Sequence, residues 1–453
     1  MKRFIRCSLI LIFFLLYPGR TARAATVINS NWTLPRDETI EGDVKLTGGT
    51  VDLNGHVLTI TGNLLQSGGT MNVNGGSLVV TGDYRIQSES SGSYSMSYGY
   101  LRMTNAADYV FVGGHFITQS YYNHENYLTA GTLELKGDFR QISSGNGNIY
   151  NFRAGGTHKV ILSGEGLQTI SFESSSNSCF NILEINKQTP GQLKFASSLP
   201  VAGRFITNGY ELTDVTFVRA WTLNEDTVIN ITTGFFRMSA NIDLNGKKLR
   251  INGSLLQSGG LMNINGGSLT VTGDYRIQGE NAGAYSNSSG YLHMVKTADY
   301  VLVGGQFVTQ SNVSHYNRLT AGTLEVKGDF IQGAGHSENF LASGTHKVIL
   351  SGEGPQTVSF AAPSSSCFNI LEIDKPTSSQ LIFASSLTVN TLITNGYNEL
   401  TDVSFSVGDW TLTVDTVINA VTKAFSVSGS INLNGKKLTV NGNMIQSGGR
   451  LNL

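Results

Sequence analysis

A long tandem repeat dominates this sequence and restricts what the chain can fold into. Three tryptophans mark it, in NWTL at Trp32, AWTL at Trp221 and DWTL at Trp410, and both intervals are 189 residues. Similar segments follow each tryptophan: VDLNGHVLTITGNLLQSGG from Val51, IDLNGKKLRINGSLLQSGG from Ile242 and INLNGKKLTVNGNMIQSGG from Ile431. Self-similarity of this kind indicates a fold built by stacking similar units.

The repeats and the N-terminal segment divide the chain into four parts. We predict a signal peptide at 1–24, repeat one at 25–220, repeat two at 221–409 and a truncated repeat three at 410–453. The end of a solenoid needs a cap, because an open coil presents unpaired strand edges. Repeat three stops after its first quarter without one, so we expect a truncated product or one piece of a longer protein.

A period of about seven residues lies inside each repeat. In repeat one, glycines recur at Gly48, Gly55, Gly62, Gly68, Gly75 and Gly82. Apolar pairs stand four and two residues before most of them, namely Val44/Leu46, Val51/Leu53, Leu58/Ile60, Met71/Val73 and Leu78/Val80. The pair Leu64/Gln66 departs from this rule. The unit is therefore Φ-x-Φ-x-G, where Φ is an apolar residue.

An apolar spacing of two predicts short β-strands with one face turned inward. A coiled coil is excluded, because it needs spacings of three and four and few glycines. We predict an all-β fold, a parallel β-helix or β-solenoid with three units in a coil of about 20–21 residues, and glycines with positive φ at the corners.

Two alternatives to this fold stay open. A β-hairpin meander could turn at Asn54-Gly55 and at Asn74-Gly75. Tandem β-sandwich domains could account for the less regular middle of each repeat. Two polar segments, at 88–99 and 142–151, are expected to be loops that leave the coil.

The N-terminus predicts export. Lys2, Arg3 and Arg6 precede the apolar run CSLILIFFLLY, and Ala22-Arg23-Ala24 completes the pattern of a secretory signal peptide, with cleavage before Ala25. The signal holds five of the 31 basic residues and no acid, so 26 basic and 32 acidic residues remain, a net charge of about −6. This disfavours nucleic acid and anionic membranes as partners, and we expect no integral membrane segment after cleavage.

Few residues suggest chemistry. The recurring histidines, His124 with His315 and His158 with His346, lack the spacing of a metal site and are expected to be surface or hydrogen-bonded residues. The recurring acids show no ladder at coil spacing and no Asp-Asp pair, as catalysis on a β-helix would need. These acids are Asp83/Asp274, Glu134/Glu325, Asp138/Asp329 and Glu165/Glu353. We therefore predict no catalytic residues, no metal site, no cofactor and no enzyme activity.

Tyrosines and cysteines are the remaining candidates. Six tyrosines crowd repeat one, and exposed rings could stack on sugars or contact a protein, although half-buried strand tyrosines are the simpler interpretation. They are Tyr94, Tyr98, Tyr100, Tyr121, Tyr122 and Tyr127, while repeat two keeps Tyr285, Tyr291 and Tyr316. Cys179 and Cys367 occupy matching places far apart along a solenoid, so we expect two buried free cysteines.

The Gly/Asn-punctuated coils VDLNGHVLTITGNLLQSGG and INLNGKKLTVNGNMIQSGG resemble those of exported bacterial β-solenoid proteins, a class that includes adhesin-like and filamentous-haemagglutinin-like surface proteins. GTHKVILSGEG with FNILEI is similar to modules of large repetitive Gram-positive surface proteins. The resemblance implies an extracellular or cell-surface protein with a structural or adhesive role, and a glycan, the cell wall or another cell surface as partner. A carbohydrate-binding or carbohydrate-active β-helix protein is the alternative. The ligand-binding residues and the oligomeric state are not predicted.

Overall fold

The chain winds into a parallel β-solenoid of about 19 turns. The computed structural model describes residues 24–145, 150–376, 381–395, 397, 399–403 and 410–453. The predicted signal peptide lies outside these residues except for Ala24, and so does part of the predicted loop at 142–151. None of the described segments is a helix that could cross a membrane.

Each regular coil has three short strands, one on each of three faces. The strands of the first coil, Thr26–Ile28, Trp32–Thr33 and Glu38–Ile40, pair in parallel with the corresponding strands of the second coil. Along the first face, Val44 pairs with Leu64 and Leu64 with Tyr84, so the coil repeats every 20 residues. The predicted solenoid and its coil length are confirmed, and the hairpin meander is wrong because consecutive coils pair in parallel.

Three sheets run along repeat one. The first face contains Thr26–Ile28, Val44–Leu46, Leu64–Gln66, Tyr84–Ile86, Phe116–Thr118, Phe139–Gln141, Gln168–Phe172 and Leu193–Phe195. The second face contains Trp32–Thr33, Thr50–Asp52, Thr70–Asn72 and Tyr100–Arg102. The third face contains Glu38–Ile40, Val57–Ile60, Ser77–Val80, Tyr109–Val112, Thr132–Leu135, Lys159–Leu162, Phe180–Ile185 and Val201–Ile206. The sandwich alternative fails here, because the middle of the repeat continues the same sheets.

Repeat two has the same plan, but two of its faces merge. Two long strands, Thr227–Met238 and Lys248–Gln257, run from the third face to the first without a break and join these faces into one sheet. The sheet continues through Leu212–Thr213, Ser268–Val271, Tyr275–Ile277, Tyr300–Val303, Phe307–Thr309, Thr323–Val326, Phe330–Gln332, Lys347–Leu350, Gln356–Phe360, Phe368–Ile373, Leu381–Phe383, Val389–Ile393, Glu399–Thr401, Thr416–Asn419 and Leu438–Asn441. The second face contains Trp221–Thr222, Ile242–Asp243, Leu261–Asn263 and Tyr291–His293. Repeat three adds Trp410–Thr411, Ile431–Asn432, Leu451–Asn452, Phe425–Val427 and Met444–Gln446.

The interior is a column of stacked side chains. On the third face, Leu58, Leu78, Val110 and Leu133 pair in succession, and each is completely buried. On the first face the stack becomes aromatic, with ring centroids 5.3 Å apart for Tyr84 and Phe116 and 5.9 Å for Phe116 and Phe139. A single coil cannot bury such residues, so the stacking of neighbouring coils creates the core.

The corner glycines serve two different purposes. Asn54 and Gly55 both have positive φ, as predicted for a corner. Gly62 and Gly82 do not, and this part of the prediction is wrong. A Cβ atom on Gly82 would lie 2.4 Å from Asn63 Oδ1 and 2.9 Å from the Gly62 carbonyl oxygen. These glycines are therefore required because adjacent coils approach closely, and not because of backbone conformation.

One predicted excursion is an antiparallel hairpin. Ser88–Ser90 and Ser93–Ser95 form it in repeat one, and Gly279–Asn281 and Ala284–Ser286 form its equivalent in repeat two. After each hairpin the chain returns to the second face, at Tyr100–Arg102 and at Tyr291–His293. The segment at 88–99 is thus an insertion between two strands of a coil, as predicted.

Candidate ligand-binding surface

Five tyrosine rings form a continuous patch on the outside of repeat one, beside the second face. We call Tyr98, Tyr100, Tyr121, Tyr122 and Tyr127 the tyrosine surface. The exposed fractions of Tyr98, Tyr121 and Tyr122 are 55%, 39% and 43%, whereas Tyr100 and Tyr127 are half-buried. The half-buried state favoured from the sequence is therefore wrong for the first three.

The rings contact one another in sequence across two successive coils. Ring centroids lie 5.3 Å apart for Tyr98 and Tyr121, 6.1 Å for Tyr121 and Tyr122, and 5.4 Å for Tyr122 and Tyr100. Tyr100 and Tyr127 are stacked at 4.6 Å. Mutual ring contact limits the freedom of each side chain, so the patch is preorganised.

Buried serines hold the backbone beneath these rings. Ser97 pairs with Ser120 of the next coil, and the Tyr121 amide donates to the Ser97 carbonyl oxygen at 2.7 Å. The Ser120 hydroxyl donates to the Gly99 carbonyl oxygen at 2.7 Å and accepts from the Tyr122 amide at 3.0 Å. The tyrosines that follow Ser97 and Ser120 are therefore presented from fixed backbone positions.

The rim of the tyrosine surface is polar and contains one ion pair, while Arg102, two residues beyond Tyr100 on the same strand, is exposed. The Asn123 side chain accepts a hydrogen bond from the Glu125 amide at 2.8 Å. Arg153 Nε lies 3.3 Å from Glu125 Oε1, so the two charges offset each other. With so few charges around the exposed rings, the surface favours an uncharged ligand over a highly charged one.

Repeat two keeps the backbone of this site and loses most of its rings. Ser289, Asn312, Val313 and Arg318 occupy the positions of Tyr98, Tyr121, Tyr122 and Tyr127. Ser288 pairs with Ser311, and the Asn312 amide donates to the Ser288 carbonyl oxygen at 2.7 Å, as in repeat one.

Only one of the five rings remains in repeat two, that of Tyr291. The Arg318 guanidinium carbon lies 3.8 Å from its centroid. The fold is thus maintained without the tyrosine surface.

Tyr94 is not part of the tyrosine surface. It lies on the hairpin, and the Arg85 guanidinium carbon is 4.7 Å from its ring centroid. Lys45 Nζ donates to Glu89 Oε2 at 2.9 Å, which raises the pKa of Lys45 and lowers that of Glu89. These side chains line a groove of about 340 Å³ beside the first face.

The same docking contacts recur in repeat two. Arg237 Nη1 lies 2.5 Å from Glu280 Oε2, and the Arg276 guanidinium carbon lies 5.0 Å from the centroid of the Tyr285 ring. We therefore assign these side chains to the docking of the hairpin on the solenoid.

The four recurring histidines lie in the interior, not on the surface. His124, His158, His315 and His346 have exposed fractions of 0–1%. His315 Nε2 accepts from the Leu292 amide at 3.2 Å. Both ring nitrogens of His158 and of His346 lack a hydrogen-bond partner. The same holds for His124, so the prediction of surface or hydrogen-bonded histidines is wrong for His124, His158 and His346.

Burial keeps these imidazoles neutral. It lowers the pKa of His124 to about 4 and that of His158, His315 and His346 to about 3. Phenylalanines pack near two of them, with centroids 6.2 Å apart for Phe152 and His158 and 6.1 Å for Phe340 and His346.

A polar ladder that includes three aspartates runs along one corner of the solenoid. At the corner between the third and first faces, Asp43, Asn63, Asp83, His115 and Asp138 occupy one position on five successive coils. Asp43 Oδ1 accepts from the Asn63 amide, Asn63 Oδ1 from the Asp83 amide, and Asp83 Oδ1 from the His115 amide, each at 2.8 Å. This polar ladder differs from the carboxylate ladder on neighbouring coils that catalysis on a β-helix would need. Its carboxylates are separated by an amide or an imidazole, and they accept backbone N–H groups at the corner.

Glu134 is held on the third face. It accepts from the Ser163 hydroxyl at 2.6 Å and the Tyr109 hydroxyl at 2.7 Å, and burial alone would raise its pKa. The two hydrogen bonds and the nearby charge of Lys136 outweigh the effect of burial, so the pKa of Glu134 is lowered. Glu325 has the same two kinds of partner in repeat two, Ser351 and Tyr300.

The other recurring acids lie at turns. Asp274 and Asp329 accept backbone amides of the next coil, those of Gln306 at 2.9 Å and Thr357 at 2.7 Å. Glu165 and Glu353 lie exposed on turns. In these positions the acids stabilise the coil, and no two of them converge on a common point.

Two lysines that the sequence did not single out are buried in the structure. Lys375 Nζ donates to the carbonyl oxygens of Gly352 at 2.5 Å and Gly354 at 3.0 Å, and to Gln356 Oε1 at 3.2 Å. Lys187 makes the same three contacts in repeat one, with Gly164, Gly166 and Gln168. Their exposed fractions are 9% and 8%, and burial lowers the pKa of both amines. The Gly-x-Gly turn followed by a distant lysine, common to both repeats, is the signal that could have revealed them.

Cys179 and Cys367 are free thiols. Cys179 is buried, as predicted, and Cys367 is half-buried. Burial raises the pKa of both thiols, which disfavours the reactive thiolate.

The comparisons with known proteins give no relative for the chain. A scan against protein-family models, a search of curated proteins and a search of solved structures each found no match. Within the described ranges, no group of three or more His, Cys, Asp or Glu side chains is arranged to hold a metal ion. The tyrosine surface is therefore the candidate site with the best-defined geometry.

Proposed function

We propose that the protein is a secreted or cell-surface structural repeat protein with an adhesive role and no catalytic site of its own. In this proposal the solenoid is a stiff spacer, and side chains on its outer surface make the contacts. The observation that carries the proposal is the parallel pairing of successive coils along each repeat. About 19 turns at ~4.8 Å each give a rod roughly 90 Å long.

The roles of the acids support the non-catalytic part of the proposal. Asp83 and Asp138 are used to accept backbone amides at coil corners, and Glu134 is saturated by hydroxyl groups. The predicted signal peptide and the net charge of about −6 after its removal support export and argue against nucleic acid as a partner.

The proposal is tested in two stages. Small-angle scattering of the chain from Ala25 onward should give a rod of roughly 90 Å, whereas a compact particle would exclude a spacer. Expression of the full chain in a bacterial host, followed by fractionation and N-terminal sequencing, should give a processed protein outside the cytoplasm. Retention of that protein on cells or purified cell walls then tests adhesion.

A carbohydrate-active β-helix protein is the second candidate, because the rings of the tyrosine surface are chemically suited to sugars. Incubation with polysaccharides and analysis of the reducing ends released would separate it from the first candidate. Release of reducing ends would show that the protein is an enzyme, whereas retention without cleavage supports adhesion.

A further inference from the structure

We infer that the tyrosine surface of repeat one is a carbohydrate-binding site whose rings stack on the flat faces of pyranose sugars. The inference rests on the proposed contact role of the outer surface, and it names both the site and the class of partner. The site consists of Tyr98, Tyr121 and Tyr122, supported by the half-buried Tyr100 and Tyr127.

Ring chemistry is the first argument. The face of an aromatic ring is negative and attracts the slightly positive C–H groups that cover the faces of a pyranose. Tyr98, Tyr121 and Tyr122 expose 39–55% of their surface to solvent, with centroids 5.3–6.3 Å apart. Their ring planes are inclined by 45–76° to one another, so an exposed ring face can stack on a single pyranose, and the other rings contact its edges.

The surroundings of the rings favour sugar over other partners. Binding of nucleic acid needs several basic residues, but of the two arginines near these rings Arg153 is paired with Glu125, and only Arg102 is exposed without an acidic partner among the described residues. Tyrosine is also enriched in protein interfaces, so the experiment below includes an outcome that identifies a protein partner. The exposed large apolar residues between 94 and 127 are all tyrosines, and the side chains around them carry hydroxyl and amide groups that suit sugar hydroxyls.

Repeat two shows that folding does not require these rings. Ser289, Asn312 and Val313 replace them on a backbone with the same Ser288–Ser311 pairing. The interior beneath the site is preserved between repeats, since Tyr275 donates to Gln257 at 2.6 Å as Tyr84 does to Gln66. The rings are therefore a surface feature added to a common scaffold.

The test exchanges the exposed residues between the two repeats. One variant of the chain from Ala25 onward carries Tyr98→Ser, Tyr121→Asn and Tyr122→Val. The reverse variant carries Ser289→Tyr, Asn312→Tyr and Val313→Tyr. Tyr316→Glu, which changes a tyrosine that is 63% exposed in repeat two to the residue of repeat one, is the matched control. Circular dichroism confirms that each variant is folded.

The probes are cellulose, chitin and peptidoglycan sacculi in pull-down assays, and soluble mannan, galactan and xyloglucan in affinity electrophoresis. We expect the wild type to bind at least one of them. The first variant should lose about tenfold or more in affinity, the reverse variant should gain affinity, and the control should bind like the wild type.

Three results would overturn the inference. The wild type could bind none of the six polysaccharides, or the first variant could bind as well as the wild type. Adhesion to protease-sensitive sites on cells could also depend on the tyrosines without any polysaccharide binding. That last result would identify a protein partner and leave the proposed adhesive role intact, whereas a compact, non-adhesive protein would instead refute the proposed function.

Discussion

The phenolic hydroxyl of Tyr84 donates a hydrogen bond of 2.6 Å to Oε1 of Gln66 inside the core, where both side chains are completely buried. Gln66 Nε2 donates in turn to the carbonyl oxygens of Gly69 at 2.9 Å and Tyr100 at 3.0 Å. Gln66 is the residue that departs from the Φ-x-Φ-x-G pattern. It points inward like the apolar residues it replaces, and it links the first face to the strand that carries Tyr100.

Tyr84→Phe should destabilise the protein by ~1–3 kcal/mol, because it leaves the buried Gln66 Oε1 without a donor. Urea denaturation followed by circular dichroism measures the change. The double variant Tyr84→Phe with Gln66→Leu removes both polar groups and should recover part of the loss. A single variant as stable as the wild type would show that this hydrogen bond contributes little.

Stability should fall as the pH is lowered from 7 to 5. The pKa of His158 is about 3 in the folded protein and ~6.5 in the unfolded chain. Between these values the unfolded state binds more protons, so the contribution is complete above about pH 6.5 and is lost as the pH falls towards 3. Each such histidine contributes a slope of up to ~1.4 kcal/mol per pH unit.

Urea midpoints at several pH values check this dependence. His158→Leu should reduce the dependence of the unfolding free energy on pH by up to ~1.4 kcal/mol per pH unit. The substitution breaks no hydrogen bond, because the His158 ring makes none. His56→Gln, at a half-buried surface position beside Asp37, is the control. If both variants keep the wild-type slope, protonation of His158 does not drive the loss.

Lys187 and Lys375 should resist acetylation of the native protein. Their amines are surrounded by carbonyl oxygens and buried, and the lowered pKa alone would make them more reactive if they were accessible. Mass spectrometry after brief treatment with an amine-reactive ester should find Lys194 and Lys248, which are exposed, modified first. Equal labelling of all four lysines would contradict the buried arrangement.

Gly82→Ala should destabilise the protein by ~1–3 kcal/mol, because the new methyl group would collide with Asn63 and Gly62 of the preceding coil. Gly155→Ala is the matched control. A Cβ atom at Gly155 would have no neighbour within 4 Å, and the φ of Gly155 is not positive. The free energy of unfolding of this variant should therefore change by less than ~0.5 kcal/mol. Similar midpoints for the two variants would rule out close coil contact at Gly82.

The regular part of the fold could be predicted because its signal is local. Val44, Leu46, Leu58 and Ile60 are spaced by two, and all of them point inward. The polar ladder at the corner was not predicted, because Asn63 stands between Asp43 and Asp83 and the carboxylates alone show no coil spacing. The glycine that precedes each ladder residue, as in Gly42-Asp43 and Gly82-Asp83, is the signal that would have revealed it. The exposure of the tyrosines and the burial of the histidines were predicted wrongly, because both depend on contacts between residues far apart in the sequence.

Excursions explain these longer-range errors. The hairpin at 88–99 lengthens its coil, so that Tyr84 pairs with Phe116, 32 residues later. With this register unknown, neither the contact between Tyr98 and Tyr121 nor the burial of His158 can be deduced from spacing. Composition likewise cannot distinguish an exposed tyrosine from a half-buried one on the same kind of strand.

The parallel ladders have a mechanical consequence. Because successive coils pair with each other, their hydrogen bonds lie along the axis of the rod, and a force that separates the two chain ends loads one coil at a time. Each released coil of 20 residues would lengthen the chain by ~60 Å, many times the rise it occupied. A rod tethered at both ends would therefore yield in small steps and absorb work, whereas compression along the axis would be resisted by the whole stack.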